Sequence, residues 1–201
     1  MKIICIGRNY SLHAKELGNE VPEQPVIFCK PDTALLKNND PFYLPEFSQD
    51  IHHELELVVK IDKAGKSIQS QFASKYYSQI TVGIDFTARD VQTQLKQKGL
   101  PWELSKAFDG SAAIGQFIAF DHSAENIHFE LDVNGKTVQS GDSQDMLFKI
   151  NDIIAFVSKY FTLKTGDLIF TGTPAGVAAV NIGDHLSARI GSETLLAFDI
   201  K

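Results

Sequence analysis

Three carboxylates have the residue types and spacing of a cation site. In "HHELELVVKID", residues 52–62, Glu54 and Glu56 are two positions apart on a strand-like segment. Their Cβ atoms would lie about 6.5–7 Å apart on one face, either a solvent-exposed strand surface or a pair directed at one cation. Asp85 ends the apolar run "QITVGID" directly before a predicted helix, where binding groups are often placed. This all-oxygen set suits a hard cation such as Mg²⁺, with Mn²⁺ or Ca²⁺ as alternatives.

Polar residues after Asp85 could bind an anionic substrate. Arg89 and Gln92 are three positions apart at the start of the predicted helix, so their side chains share a face. Lys106 follows in "PWELSKAFDG", just past the helix. Three carboxylates and one divalent ion still carry a net negative charge, so an anion would need such cations nearby. Surface roles for Arg89 and Lys106 remain open from sequence alone.

Two further segments could take part in catalysis or binding. In "GRNYSLHAKELG", His13 and Glu16 are three positions apart on a short helical turn. A carboxylate beside an imidazole raises its basicity, as water activation requires, although surface turns also carry such pairs. The loop "FTGTPAGV", residues 170–177, could present backbone N–H groups and the Thr173 hydroxyl to an anion, or could be a structural turn.

Composition limits the classes of protein that this chain can represent. The chain has 201 residues and a net charge of −6, which predicts one domain over 1–201 and argues against nucleic-acid binding. It contains no run of about 18 apolar residues, so no membrane span is predicted. The N-terminal apolar stretch is short, so we expect no signal peptide and a cytoplasmic location. Cys5 and Cys29 lie in apolar runs and are expected to be buried free thiols.

The chain has the pattern of a β-rich α+β fold, a sandwich or roll with a few short helices. Asn134-Gly135 predicts a type I′ hairpin turn. One helix is predicted in "TARDVQTQLKQKG", with Thr87 and Asp90 as a capping box and Gly99 as its end, and another within "INDIIAFVSKYF". The strand-like runs are 2–6, 25–30, 53–61, 79–85, 113–120, 127–133, 168–171, 186–190 and 194–199.

These segments together resemble the fumarylacetoacetate hydrolase family, in particular its small single-domain acylpyruvase and oxaloacetate decarboxylase members. The resemblance runs through "GRNYSLHAKE", "FCKPDTAL", "HHELELVV", "GIDFTARDVQ", "KGLPWELSKAFD", "NGKTVQSGDSQDM" and "GDLIFTGTPAGV". It implies a mixed β-sandwich roll, a divalent metal ion and a homodimer.

The resemblance also implies roles for individual residues. The implied metal ligands are Glu54, Glu56 and Asp85. His13 and Glu16 correspond to a water-activating dyad on a helical turn that folds over the site. The remaining matches are to substrate-facing positions, namely Arg89, Gln92, Lys106 and Thr173. Arg8 and Asn9 are assigned to structure or to positioning of that turn.

The expected reaction acts on small β-dicarbonyl acids that carry a 2-oxo acid group. In acylpyruvate hydrolysis, His13 oriented by Glu16 would activate a water, and C–C cleavage would release pyruvate as an enolate. Oxaloacetate would reach the same enolate by loss of CO₂. Lys106 would stabilise developing negative charge or protonate the product. The expected partner is a small oxoacid, with neither nucleic acid nor membrane.

Two alternatives remain open at the level of sequence. The chain could be an enol–keto isomerase of the 2-hydroxyhepta-2,4-diene-1,7-dioate or oxaloacetate tautomerase type, which needs the metal but less of the dyad. It could also be a non-catalytic, metal-stabilised binding protein. One segment departs from the family pattern, because Gln139 to Met146 begins without the Arg or Lys that the family often carries there. We expect this difference to bear on substrate choice or dimer contacts and to leave the metal ligands untouched.

Overall fold

The structure is a computed structural model that describes residues 1–11, 21–123 and 126–201. An eight-stranded mixed sheet carries the candidate site. Its strands are β1 (Ile3–Ile6), β2 (Ile27–Lys30), β3 (Leu35–Leu36), β5 (Leu55–Lys60), β6 (Gln79–Asp85), β8 (Ala112–Ile114), β9 (Ile118–Ala119) and β12 (Leu168–Phe170). The order is β2-β1-β12-β5-β6-β8-β3, with β9 paired to β6. Only β1–β12 and β3–β8 pair in parallel among these strands.

Two smaller sheets complete the β structure. The four-stranded sheet is antiparallel, in the order β11-β10-β14-β15. Its strands are β10 (His128–Val133), β11 (Lys136–Asp142), β14 (His185–Ile190) and β15 (Glu193–Asp199). The three-stranded sheet consists of β4 (Ile51–His53), β7 (Thr87–Ala88) and β13 (Ala178–Ala179), with β4 in the middle.

The helices of the described residues are short. The α-helices are α1 (Arg89–Lys98), α2 (Glu103–Lys106) and α3 (Ile150–Tyr160), and the 3-10 helices are Asp32–Ala34, Ser70–Tyr76 and Ser143–Asp145. No helix among the described residues is long and apolar enough to cross a membrane.

Strand β5 is buried on both faces, because a core lies on each side of it. Leu55, Leu57 and Val59 join the main core with Phe129 and Leu131 of β10, so the two larger sheets pack face to face. Val58, on the other face, joins a smaller cluster around β1 and β12. The predicted β-rich α+β sandwich roll is confirmed, and the second face of β5 is not a wetted surface.

Turn and helix signals in the sequence were partly correct. Asn134 and Gly135 both have positive φ, 53° and 78°, as a type I′ turn requires. Gly99 ends α1 in the left-handed conformation at φ 64°. The predicted capping box of Thr87 and Asp90 is wrong. Thr87 pairs with His52 in an extended strand, and Ala88 occupies the N-cap without a side-chain hydrogen bond.

The remaining element predictions were close in position. Helix α3 lies within the predicted segment "INDIIAFVSKYF" and buries Ile150, Ile153, Ile154 and Val157. The single strand predicted over 113–120 is instead the two strands β8 and β9, which pair with different parts of β6. Cys5 is buried and Cys29 half-buried, and both are free thiols.

Candidate metal centre

The register between β5 and β6 brings the three predicted carboxylates together. Glu56 lies opposite Gly83, and Leu55 opposite Ile84. The end of β6 therefore adjoins the start of β5, where the Asp85 N–H donates to the Glu54 carbonyl oxygen over 2.8 Å. Carboxylate oxygens of Glu54, Glu56 and Asp85 lie within 4.8 Å of one another. Because the three residues are only 5%, 1% and 1% exposed, they do not form a solvent-facing strand edge.

Three cations pair with this carboxylate cluster. Lys106 Nζ bonds Glu54 Oε2 at 2.7 Å and Asp85 Oδ2 at 2.9 Å. Lys30 Nζ lies 2.7 Å from Asp85 Oδ1, with both side chains almost fully buried. The guanidinium of Arg89 contacts Glu54 Oε1 at 2.5 Å. Since a buried charge is costly unless it is paired, these contacts make a dense carboxylate cluster tolerable inside the protein.

The site shifts the acid–base properties of its own groups. Burial, followed by the charge of Asp85, raises the pKa of Glu56 well above its ordinary value. Burial alone would lower the pKa of Lys106, but Asp85 and Glu54 outweigh it and the pKa rises. Lys106 therefore remains a fixed positive charge, whereas Glu56 resists ionisation unless a further cation approaches it.

The loop after β12 reaches the cluster through its backbone. Gly172 N–H donates to Glu56 Oε2 over 2.7 Å. Gly172 has φ 100°, and a Cβ there would lie 2.6 Å from the Cβ of Asn9, so only glycine fits. Asn9 holds the start of this loop, because its Nδ2 donates to the Thr171 carbonyl oxygen at 2.7 Å. The loop therefore presents a backbone N–H, as its composition suggested, and the acceptor of that N–H is the carboxyl group of Glu56.

The structure brings most of the predicted site residues to one place. Arg89 donates to Gln92 Oε1 over 2.7 Å, so the predicted shared face of α1 is formed. Lys106 touches two of the predicted metal ligands, and Thr173 follows Gly172 in the loop. The roles of these residues stay predictions. The proposed dyad of His13 and Glu16 lies in 12–20, outside the described residues.

Two polar residues near the centre were not singled out from the sequence as site residues. Lys30 is the last residue of β2, and a lysine that ends the apolar run "VIFCK" before a proline was an available signal. Gln139 of β11 is 1% exposed and bonds the backbone N–H of Leu55 at 2.9 Å. No local pattern marks it. Its recorded partners include His53 and Leu55, which flank Glu54, and none of them is a predicted metal ligand, so the expectation that this segment leaves the metal ligands untouched is not contradicted.

The carboxylate cluster has the chemistry of a divalent-metal site. All three donors are oxygens, they are buried, and each can supply one ligand atom to a common point. This donor set fits hard cations and lacks the nitrogen and sulfur ligands typical of structural zinc. Fold and site together define a β-rich protein with a buried carboxylate cluster suited to a divalent cation.

Comparison with known proteins gives the family. The Fumarylacetoacetate (FAA) hydrolase C-terminal family matches residues 2–199. An oxaloacetate tautomerase of Escherichia coli strain K12 is 41% identical over 197 residues, covering 96% of this chain and 90% of that protein. A mitochondrial oxaloacetate decarboxylase of Dictyostelium discoideum is 42% identical over 203 residues, covering 99% of this chain and 93% of that protein.

A solved structure agrees with these sequence matches. The fumarylpyruvate hydrolase of Pseudomonas aeruginosa, in complex with Mn²⁺ and pyruvate, superposes with a TM-score of 0.94 at 33% identity. The match covers 100% of this chain and 89% of that one. The chain belongs to the fumarylacetoacetate hydrolase family.

Proposed function

We propose that this protein is a metal-dependent enzyme that acts on small β-dicarbonyl acids, by decarboxylating oxaloacetate or hydrolysing acylpyruvates. The observation that carries the proposal is the buried cluster of Glu54, Glu56 and Asp85, with oxygens within 4.8 Å of one another. Relatives named for oxaloacetate and for fumarylpyruvate support the substrate class, because both compounds contain a 2-oxo acid group.

The metal ion would be Mg²⁺ or Mn²⁺, with Ca²⁺ as a further possibility, held by Glu54, Glu56 and Asp85. The Mn²⁺ in the Pseudomonas aeruginosa structure supports a divalent ion of this kind. When bound, the ion supplies Lewis-acid polarisation of a carbonyl oxygen.

The charges around the cluster favour an anionic substrate. Lys30, Lys106 and Arg89 bring three positive charges to the cluster, where they contact Asp85 and Glu54. Once a divalent cation has ionised all three carboxylates, the buried cluster would carry two net positive charges, which a dianion such as oxaloacetate would balance. Arg89 Nε is buried and has no hydrogen-bond acceptor among the residues that the structure describes, so it can donate to a substrate oxygen.

The chain's own residues supply binding, orientation and fixed charge. Lys106 would stabilise negative charge that develops on the substrate's keto oxygen. The other role considered for it is protonation of the product. Gln92 orients the Arg89 guanidinium through its 2.7 Å contact, and the Thr173 hydroxyl would hold one end of the substrate.

The dyad of His13 and Glu16 would matter for hydrolysis, because that reaction needs an activated water. Decarboxylation of oxaloacetate needs no attacking water, so it depends less on the dyad. We expect His13→Ala to impair acylpyruvate hydrolysis more strongly than oxaloacetate decarboxylation.

A second candidate function is the enol–keto tautomerisation of oxaloacetate. The name of the Escherichia coli relative favours it. Tautomerisation moves a proton at the carbon beside the keto group and breaks no C–C bond. An isomerase that used a base other than His13 would keep most of its turnover in His13→Ala.

The deciding experiment uses chelator-stripped protein before and after Mg²⁺ or Mn²⁺ is restored. Loss of oxaloacetate and of acetylpyruvate is followed by ultraviolet absorbance, with pyruvate release measured in parallel and a metal-only blank. We expect metal-dependent turnover that falls about 100-fold or more in Glu56→Gln. Glu130→Gln, a change on β10 outside the cluster, should retain it.

Each outcome of this assay identifies a different function. Pyruvate release above the blank supports decarboxylation or hydrolysis, and the faster substrate names the activity. Decay of the enol absorbance without pyruvate supports the tautomerase. If metal raises the unfolding temperature but neither substrate turns over, the chain is a non-catalytic binding protein and the proposal fails.

We also propose that the chain forms a homodimer and works in the cytoplasm, as the sequence led us to expect. Exposed apolar side chains such as Leu104 and Phe47, at 71% and 53% exposure, could contribute to a subunit interface. Light scattering should give twice the chain mass of 22.2 kDa, and a monomer would contradict the dimer.

A further inference from the structure

Gln139 belongs to the four-stranded sheet, yet its side chain reaches the edge of the metal centre. The amide is buried and has partners on two segments of the site. The partners, with their distances, are His53 Nδ1 (2.8 Å), Leu55 N (2.9 Å), Thr173 Oγ1 (2.9 Å) and the Pro174 carbonyl oxygen (3.0 Å). His53 and Leu55 flank Glu54, so one amide joins a metal-ligand segment to the loop that carries Thr173.

The chemistry of the partners determines which way the amide points. The Leu55 backbone N–H can only donate, so the atom that faces it is Oε1 of Gln139. The Pro174 carbonyl oxygen can only accept, so the atom that faces it is Nε2. These two partners demand the same orientation independently. Since Oε1 only accepts, His53 must also carry its proton on Nδ1.

This orientation determines what the Thr173 hydroxyl can do. Nε2 has two hydrogens, and one goes to the Pro174 carbonyl oxygen while the other goes to Thr173 Oγ1. A hydroxyl whose oxygen accepts in this way keeps its own proton for another acceptor. Among the residues that the structure describes, the acceptor within reach of that proton is the Pro174 carbonyl oxygen at 3.4 Å, which is a weak contact.

We propose that Gln139 is a positioning residue for substrate binding, which orients the Thr173 hydroxyl as a hydrogen-bond donor to the carboxylate of the oxo acid. The inference rests on the proposed function, because it needs an anionic substrate to receive the proton. It also gives the segment that departs from the family pattern a role in the site, exerted from the opposite sheet through a single buried amide.

Two substitutions of Gln139 separate orientation from packing. Gln139→Glu keeps the shape and the acceptor oxygen that faces Leu55, but a carboxylate cannot donate to Thr173. The Thr173 hydroxyl would then donate to the new carboxylate, and it could no longer donate a hydrogen bond to the substrate. Gln139→Met keeps the length of the side chain and removes both the donor and the acceptor.

The test measures binding, so that it does not depend on turnover. Pyruvate is titrated into Mn²⁺-loaded protein, and its affinity is followed by the relaxation rate of water protons around the bound Mn²⁺. Wild type is compared with Gln139→Glu, Thr173→Val and the double variant. We expect each single change to weaken pyruvate binding about tenfold or more, because each loses a hydrogen bond to a charged group. The double variant should bind pyruvate no more weakly than the weaker-binding single variant, because both changes remove the same contact.

The outcomes separate this inference from the proposed function. The role of Gln139 is overturned if the two losses of pyruvate affinity multiply in the double variant, or if Thr173→Val binds pyruvate as tightly as wild type. In either case, pyruvate binding by the wild type leaves the proposed function standing. Failure of Mn²⁺-loaded wild type to bind pyruvate would overturn both. If circular dichroism shows that Gln139→Glu is unfolded, Gln139→Met takes its place, and the same lack of additivity with Thr173→Val is required.

Discussion

Lys30 shows how strongly single residues at this centre depend on one another. Its ammonium group lies 2.7 Å from Asp85 Oδ1, and it also donates to the Ser111 hydroxyl at 3.1 Å and the Ser111 carbonyl oxygen at 3.2 Å. It donates as well to the carbonyl oxygen of Lys106, the residue that binds the other oxygen of Asp85. Each carboxylate oxygen of Asp85 thus lies within ion-pair distance of one lysine.

We predict that Lys30→Met destabilises the metal-free protein by about 3–5 kcal/mol, because it leaves a buried carboxylate short of a partner. Saturating Mn²⁺ should shrink the difference from wild type, since a bound cation would replace part of the lost positive charge. Urea unfolding with and without Mn²⁺ measures both quantities. The matched control is Lys37→Met at an exposed lysine. A loss that is unaffected by Mn²⁺, or equal to that of the control, would contradict the prediction.

At the scale of elements, the close approach of β5, β6 and β12 determines the spacing of the carboxylates. Gly83 lies directly opposite Glu56 in the β5–β6 pair. A Cβ at Gly83 would lie 2.8 Å from each of three atoms, the Ala113 carbonyl oxygen, Phe170 Cε1 and Val58 Cγ2. Real contacts of a Cβ are longer, so a side chain there would push the strands or the Phe170 ring away.

We predict that Gly83→Ala lowers the free energy of unfolding by about 1–3 kcal/mol through overpacking. It should also weaken Mn²⁺ binding, because movement of β5 against β6 separates Glu56 from Asp85. Gly7→Ala is a suitable control, since the nearest atom to its new Cβ would be the end of the Trp102 side chain, at 3.3 Å, and two Val26 atoms would lie at the ordinary contact distances of 3.6 and 3.7 Å. Urea unfolding and Mn²⁺ titration test the prediction, and equal behaviour of the two variants would refute it.

At the scale of the whole molecule, the metal centre joins segments that are far apart along the chain. It lies where the three-stranded sheet adjoins the eight-stranded sheet, and Gln139 connects it to the four-stranded sheet. Binding of a cation should therefore stabilise the native structure as a unit. That the chain forms one catalytic domain over 1–201 stays a prediction.

We predict that a free metal concentration of 100 times Kd adds about 2.7 kcal/mol to the stability of the protein. For a chain of this size, such a gain raises the unfolding temperature by about 5–10 °C. Calorimetric scans in chelator and in Mg²⁺ or Mn²⁺ measure the shift, with Na⁺ at matched ionic strength as the control. Glu56→Gln should show little shift, and an equal shift in that variant would place the stabilising ion elsewhere.

The sequence alone determined the features that depend on neighbouring residues. Alternation predicted that Glu54 and Glu56 share one face of a strand, and Asn134-Gly135 and Gly99 marked a hairpin turn and a helix end. These signals are local, because they depend on side-chain periodicity and on backbone conformations that glycine adopts easily. The collinear motifs also identified the family and the three carboxylates.

Only the tertiary structure decided which partners those carboxylates have. Lys30 meets Asp85, and Gln139 meets Leu55, through pairing and packing between strands that are far apart in sequence. The same cause explains the failed capping box, since β7 pairing holds Thr87 extended and Ser48 donates to the Asp90 carboxylate at 2.6 Å. A hydrogen-bonding group accepts whichever partner the fold brings within reach, and local sequence does not specify that partner.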